Sequence, residues 1–234
     1  MESGNLISKK KKEKKQIKSD AKYENIKADY FLIKVFDNLE KKKTLNLVKY
    51  NKNIKERINI NINDYKEYSE KYSSIEIEIR SVNNKYGKFI NIQKEEEEKY
   101  YHIYFNNKEE EIKWNDINED EEIKMIKIII DYHVESFKDL FDGCKCIESI
   151  AFKKFYRNNI NNIGFIFSEC SSLKELNLNN YNTNNVTDMS FMFQGCLSLK
   201  ELNLNNFNTN NVTYMSFMFR GCYDDLIRKI KSEY

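Results

Sequence analysis

The chain has 234 residues, of which 40% are hydrophobic and 32% charged, so it is long enough to bury a core in one large domain or two small ones. The formal net charge is only +2, which gives no general reason to expect a nucleic-acid partner. No stretch approaches the roughly 20 apolar residues that span a bilayer, and the N-terminus lacks the apolar core of a secretory signal. We therefore expect an intracellular, cytoplasmic protein that does not bind membranes.

The N-terminal residues 1–22 combine low hydrophobicity with the lysine-rich run KKKKEKKQIK at positions 9–18. Such a composition predicts a disordered basic tail. The tail could bind nucleic acid or an anionic membrane, or direct nuclear import, or it could simply be a solvated end. We favour the solvated end, because the run has neither interleaved aromatic residues nor an apolar face.

Residues 23–72 are predicted to be helical. Apolar residues of positions 31–39 lie on one stripe of a helix: Phe31, Leu32, Val35, Phe36 and Leu39. A second short helix would carry Leu45, Leu47, Val48 and Tyr50, and a third would carry Ile54, Ile58 and Ile60. A further helix is expected to begin with Asp64 as its cap.

Residues 73–133 are predicted to be rich in β-structure. Ile75, Ile77 and Ile79 alternate with charged residues, a pattern typical of a half-buried strand. Residues 88–92 and 99–105 predict two more strands, and a turn follows at residues 106–108. We expect a small sheet that covers the open end of the region that follows.

Residues 134–222 contain a repeat of 26 residues. SSLKELNLNNYNTNNVTDMSFMFQGC (171–196) is followed at once by LSLKELNLNNFNTNNVTYMSFMFRGC (197–222), and two less regular copies precede them. Repetition at a fixed period is typical of a scaffold whose units stack on one another. Four cysteines keep the same spacing, and Cys146 is the odd fifth. We expect reduced, buried thiols, because the spacing does not suit a zinc site.

Each copy predicts one coil of strand, polar turn, short helix and turn. The leucines follow an L-x-x-L-x-L pattern, Thr187 or Thr213 could cap the helix, and Gly195 or Gly221 could end the turn. Residues 223–234 predict a capping helix. The predicted core of the repeats comprises Leu173, Leu176, Leu178, Met189, Met192, Phe193, Cys170, Cys196, Leu199, Leu202, Leu204, Met215, Met218, Phe219 and Cys222.

The motif LKELNLNN-[YF]-NTNNVT-x-MS-x-MF-x-GC resembles the BspA-like leucine-rich repeats, in the 26-residue form common in Mycoplasma-type surface proteins and in some protists. The resemblance covers about the last hundred residues. It implies a surface or interaction protein without enzymatic activity. The fold class expected for the chain is therefore α+β, with a small helical segment, a β-rich region and a short leucine-rich-repeat solenoid of parallel strands and short helices.

Residues 30–58 loosely resemble an F-box, through the apolar spacing of Leu32, Val35, Phe36 and Leu39, although the L-P-x-E opening is missing. This second resemblance implies an alternative function. The helices would dock a Skp-type adaptor, and the repeats would hold the substrate of a ubiquitin ligase.

No motif of the sequence points to catalysis. The only histidines are His102 and His133, and G-x-G-x-x-G, P-loop and H-E-x-x-H patterns are absent. We expect a monomer that is not an enzyme, with no cofactor, no metal and no small-molecule substrate, and that binds an unidentified protein. Its predicted binding face consists of the outward residues of two neighbouring repeats, although the same polar row could serve solvation alone: Lys174, Glu175, Asn177, Lys200, Glu201 and Asn203.

Overall fold

A computed structural model describes residues 33, 36, 39–120 and 122–233 of the chain. The chain divides into two compact units, residues 1–68 and 69–234. The predicted basic tail, and Phe31, Leu32 and Val35 of the first predicted helix, lie outside the described residues.

The first unit is built from short helices. These are α1 (Lys41–Val48), α2 (Lys52–Arg57) and the start of α3 (Ile62–Tyr72). The Asn51 side chain caps α2 by accepting a hydrogen bond from the Ile54 N–H at 3.0 Å. Asp64 lies in the first turn of α3 and is not its cap, so that prediction is wrong. A small core lies between the helices and includes Phe36, Val48 and Ile54.

A six-stranded mixed sheet forms the centre of the second unit, in the order β4-β3-β6-β1-β7-β8. Every neighbouring pair is antiparallel except β7 and β8, which are parallel. β2 and β5 form a separate two-stranded sheet. The bounds are β1 (Ile75–Ser81), β2 (Gly87–Lys88), β3 (Tyr101–Phe105), β4 (Glu111–Ile112), β5 (Asp116–Ile117), β6 (Met125–Ile130), β7 (Ile147–Lys154) and β8 (Glu175–Asn177), with a 3-10 helix at Glu95–Tyr100.

Alternating isoleucines fix the register of the central strands. Ile75, Ile77 and Ile79 of β1 are buried and lie opposite isoleucines of β6. A shift by one residue would expose all of them, because side chains alternate between the two faces of a strand. The strand predicted at Ile75–Ile79 is therefore confirmed.

The predicted leucine-rich-repeat solenoid of parallel strands and short helices is wrong. The sheet is mostly antiparallel, and β7–β8 is its only parallel pair. Within the described residues, the segment 199–204 forms no strand, and the predicted helices of the repeats are turns. A helix cannot form there because Phe165, Phe191 and Phe217 have φ of 58°, 56° and 58°, in the left-handed region.

The turns of successive repeats form four turn segments, which are residues 136–143, 162–169, 188–195 and 214–221. Main-chain hydrogen bonds join each segment to the next at 2.7–3.1 Å. The third segment donates to the fourth from Met189, Phe191, Phe193 and Gly195, and the acceptors are carbonyls 25 residues later in the chain. Four bonds of the same kind join the first segment to the second, and four more join the second to the third. The repeat period therefore follows from main-chain pairing between turns.

Side chains stack in columns along these segments. In the inner column, Phe141, Phe167 and Phe193 lie 6.0 and 5.7 Å apart between ring centroids, with nearly parallel planes. Cysteines form another column, in which the thiols of Cys170, Cys196 and Cys222 each donate to a phenylalanine carbonyl of the preceding repeat. The Sγ–O distance is 3.0 Å for Cys170, 3.1 Å for Cys196 and 2.9 Å for Cys222.

Most of the predicted repeat core is buried. Leu176, Leu204 and Phe219 are only partly buried, although they pack against the core. Met215 is 51% exposed, so the prediction that it is buried is wrong. Its equivalent, Met189, is covered by the fourth turn segment, whereas no further segment lies on the fourth in the described part of the chain. The fully or nearly buried members are Leu173, Leu178, Met189, Met192, Phe193, Cys170, Cys196, Leu199, Leu202, Met218 and Cys222.

The C-terminal helix α4 (Asp224–Glu233) forms where the sequence predicts it. Leu226 is buried, and Ile227 and Ile230 pack against the core of the second unit. The apolar stripe of α4 therefore covers the inner side of the last repeat.

The left-handed conformation of Phe191 reverses the usual order of glycine and alanine substitutions. We expect Phe191→Gly to be more stable than Phe191→Ala by about 1 kcal/mol, because only glycine adopts positive φ without a steric cost. The measurement is the free energy of unfolding in urea. As a control, Lys229 lies in the interior of α4, and there the alanine variant should be the more stable by about 1 kcal/mol. Equal stability of the two Phe191 variants would contradict the left-handed conformation.

Burial protects the five thiols from reaction. It raises the pKa of Cys146 and Cys222 to about 11 and raises the pKa of Cys144, Cys170 and Cys196 further. We expect no thiol to react with Ellman's reagent in the native protein at pH 8, and all to react in denaturant. Because folding raises these pKa values, the thiols favour the folded state below about pH 9, and this stabilisation is lost as the pH rises towards 11. Rapid reaction of any native thiol would contradict the buried column.

Candidate protein-binding groove

The six residues of the predicted binding face are all exposed. Five of them line a concavity of about 770 Å³ between β8 and the next repeat, and Asn177 lies outside its lining. Leucines and Ser198 complete the concavity, which we call the groove: Lys174, Glu175, Leu176, Leu197, Ser198, Lys200, Glu201, Leu202 and Asn203.

One wall of the groove is β8, the edge strand of the large sheet. The Lys174 N–H donates to the Glu148 carbonyl of β7 at 2.8 Å. Successive residues of a strand direct their main-chain groups to opposite sides, so Glu175 and Asn177 direct theirs away from β7. No main-chain group of these two residues has a hydrogen-bond partner among the described residues. The groove therefore has an unpaired sheet edge.

Residues 200–203 form the opposite wall, and hydrogen bonds beyond its two ends connect it to the β8 side of the groove. At one end the Ser198 hydroxyl donates to the Ser171 carbonyl at 2.7 Å. At the other end the Asn206 side chain donates to the Asn179 carbonyl at 3.0 Å. Between these points, no main-chain hydrogen bond joins the two walls within the described residues. The groove is thus bounded at both ends and unpaired in the middle.

The groove combines apolar surface with charge. Leu197 is 62% exposed, and Leu176 is partly buried beside it. Lys174 forms an ion pair with Glu148 at 2.7 Å, and this hydrogen bond raises the pKa of Lys174. Apolar residues surrounded by charged ones are typical of a protein-binding surface.

Two groove charges are available to a ligand. Glu201 pairs with Lys229 of α4 at 3.4 Å. By contrast, Glu175 and Lys200 take part in no ion pair within the described part of the chain. The groove therefore presents one negative and one positive charge that a partner could pair with.

The two histidines lie away from the groove. His102 in β3 is 3.2 Å from Glu111 and 3.6 Å from Asp131. His133 follows β6 and stacks on Tyr100 and Tyr132. Among the described residues, no group of three or more His, Cys, Asp or Glu residues is arranged to hold a metal ion.

The F-box-like residues lie in the first unit and are partly described. Leu45 and Val48 are buried in α1, whereas Leu47 is exposed on the same helix. Because Leu32 and Val35 lie outside the described residues, the adaptor function stays a prediction.

Sequence reasoning missed the polar residues that hold the repeats together. Thr187 was expected to cap a helix, but Asp188 shapes the turn by accepting the Ser190 N–H at 2.9 Å. Asn185 and Asn211 each donate to a carbonyl of the preceding repeat, at 2.7 and 2.6 Å. The occurrence of asparagine at the same position in both copies is the signal that could have revealed this contact.

The repeats are similar to one described family. Residues 135–230 match the family model "Mycoplasma protein of unknown function, DUF285". This match covers less than half of the chain, and it confirms a Mycoplasma-type similarity without identifying BspA-like repeats. No curated protein and no solved structure matches the chain. No helix in the described ranges has the length and apolar composition needed to cross a membrane.

Proposed function

We propose that the chain is a non-enzymatic protein-binding module that takes an extended segment of a partner in the groove. The observation that carries this proposal is the unpaired main chain of Glu175 and Asn177 at the edge of β8. An extended segment that lies along such an edge forms main-chain hydrogen bonds and becomes one more strand of the sheet.

The groove side chains define the chemistry of the partner. Leu176 and Leu197 offer apolar contact to one side chain of the segment. Glu175 and Lys200 favour a basic and an acidic residue at nearby positions. The expected ligand is therefore an extended peptide with an apolar residue between charges of opposite sign. The repeats resemble the BspA-like family, whose members are typically interaction proteins, and this resemblance fits the proposed role. Membership of that family is itself a proposal.

We also propose that the protein works in a reducing compartment such as the cytoplasm. All five cysteines are buried and unpaired, and four of them are spaced with the repeats. Thiols that pack in a column and donate to carbonyls have a structural use that needs no disulfide.

Peptide selection tests the groove. A displayed library of random peptides is selected against the full chain, and the affinity of the selected peptides is measured by calorimetry. We expect the charge reversals Glu175→Lys and Lys200→Glu to weaken binding about tenfold each, which corresponds to roughly 1.4 kcal/mol. N-methylation of one central peptide amide should weaken binding by a similar factor, because it removes a main-chain donor.

Lys108→Glu is the matched control, because this exposed lysine lies in the turn after β3, outside the groove. It should leave the affinity unchanged. Selection of no peptide, or of peptides that bind the two groove variants as well as the unaltered chain, would overturn the proposal. Full tolerance of N-methylation at every position would show that the β8 edge is not used.

A further inference from the structure

The fourth turn segment carries a second unpaired edge, distinct from the groove. In the third segment, Met189, Phe191 and Phe193 donate their N–H groups to the fourth. The equivalent donors of the fourth segment have no acceptor among the described residues: Met215, Phe217, Phe219 and Gly221. Four main-chain donors therefore lie in a row at the end of the stacked segments.

The four main-chain hydrogen bonds at each junction between turn segments all run in one direction, whereas the Tyr214 N–H donates back to the Thr187 carbonyl just before the third segment. At each of the three junctions, the earlier segment donates and the later segment accepts. The peptide dipoles of the stack consequently add, with their positive end at the fourth segment, as they do in other rows of aligned N–H groups. This end attracts groups that accept hydrogen bonds.

The opposite end of the stack is already capped. The Asn91 N–H donates to the Leu140 carbonyl at 2.7 Å. The Asn91 side-chain amide donates to the carbonyls of Asp139 and Asp142 at 3.1 and 2.7 Å. Asn91 thus occupies two of the four carbonyls in the acceptor row, whereas the donor end has no equivalent cap in the described residues.

Aromatic and basic side chains around the open end are exposed. Tyr214 is 63% exposed and Phe217 is 59% exposed, although Phe217 stacks on Phe191 with ring centroids 5.2 Å apart. The Arg220 guanidinium lies 5.6 Å from the Phe217 ring centroid and adds positive charge. Helix α4 covers the inner side of this segment but leaves these outer side chains exposed.

We propose that the outer edge of the fourth turn segment docks a turn segment of the same repeat type, carried by another protein. The three junctions inside the chain show what such an edge binds: a row of carbonyls two residues apart, with side chains that stack on phenylalanine. The partner must offer acceptors, because the four unpaired main-chain groups of this segment are donors.

A second copy of this chain does not fit the open edge. Two fourth segments facing each other would place donors against donors. A head-to-tail pair would need the carbonyls of Ser136, Lys138, Leu140 and Asp142 in the first segment, and Asn91 already binds those of Leu140 and Asp142. The occupant is therefore a different protein with a free acceptor edge.

Amide hydrogen exchange, followed by NMR on the full chain, tests this proposal. In the free protein, the N–H groups of Met215, Phe217 and Phe219 should exchange rapidly, whereas those of Met189, Phe191 and Phe193 should be protected. The probe is a synthetic peptide of residues 186–196, acetylated and amidated at its ends. At millimolar concentration, it should slow exchange at the three exposed amides at least tenfold.

Phe217→Asp is the decisive variant. Asp139 occupies the equivalent position of the first segment with φ of 59°, so aspartate suits this backbone conformation and the fold should be kept. The substitution removes the exposed ring and places a carboxylate on the donor row, and the protection by the peptide should be lost. Tyr156→Asp, which changes another half-exposed aromatic residue, should retain it.

Four results would overturn the proposal. The first is slow exchange of the exposed amides in the free protein, which would mean that they are already paired. The second is the absence of protection at millimolar peptide, and the third is equal protection in the Phe217→Asp variant. Protection confined to Glu175 and Asn177 would also overturn it and would assign the peptide to the groove.

Discussion

The one-directional pairing of main-chain groups between turn segments is the constraint on which the second unit depends. Each segment must present donors on one side and acceptors on the other, and this requires left-handed residues at fixed positions. A left-handed phenylalanine costs roughly 1–2 kcal/mol, which hydrogen bonds and ring stacking at each junction offset. The columns of phenylalanine and cysteine follow from the same spacing. The polar backbone therefore sets the period, and the apolar side chains fill it.

The two ends of the repeats are consequently unlike. At the beginning, β1 is an antiparallel neighbour for β7, and Asn91, which follows β2, donates to carbonyls of the first turn segment. At the end, α4 covers the inner core, but neither the edge of β8 nor the donors of the last segment are paired in the described residues. The molecule is closed where the sheet meets the repeats and open where the repeats end.

The sequence predicted what depends on local pattern and failed where the partner lies far along the chain. Alternation located β1, and repetition identified most of the buried residues, such as Met192 and Cys196. The prediction of helices in the repeats was wrong, because apolar residues three and four positions apart fit a turn as well as a helix. No propensity predicts a left-handed phenylalanine. Met215 was wrongly predicted to be buried, by analogy with Met189. Its burial would require a following turn segment, and the similarity between copies does not show whether one is present.

The groove was predicted only in part, for a similar reason. The outward residues were identified from the repeat, but equal sequences gave no sign that residues 175–177 would form a strand and residues 201–203 would not. That difference arises from neighbours: β8 has a long strand, β7, beside it, whereas the next copy has only the short edge of β8. Identical sequences thus acquire different structures according to their distance from the sheet.

The near identity of the junctions has an evolutionary consequence. Since every turn segment donates and accepts in the same way, a whole copy of 26 residues could be gained or lost without rebuilding either end. Such a change would leave the Asn91 cap and α4 in place and would alter only the reach between them. Recombination between near-identical copies would therefore change the length of this protein in steps of one 26-residue repeat.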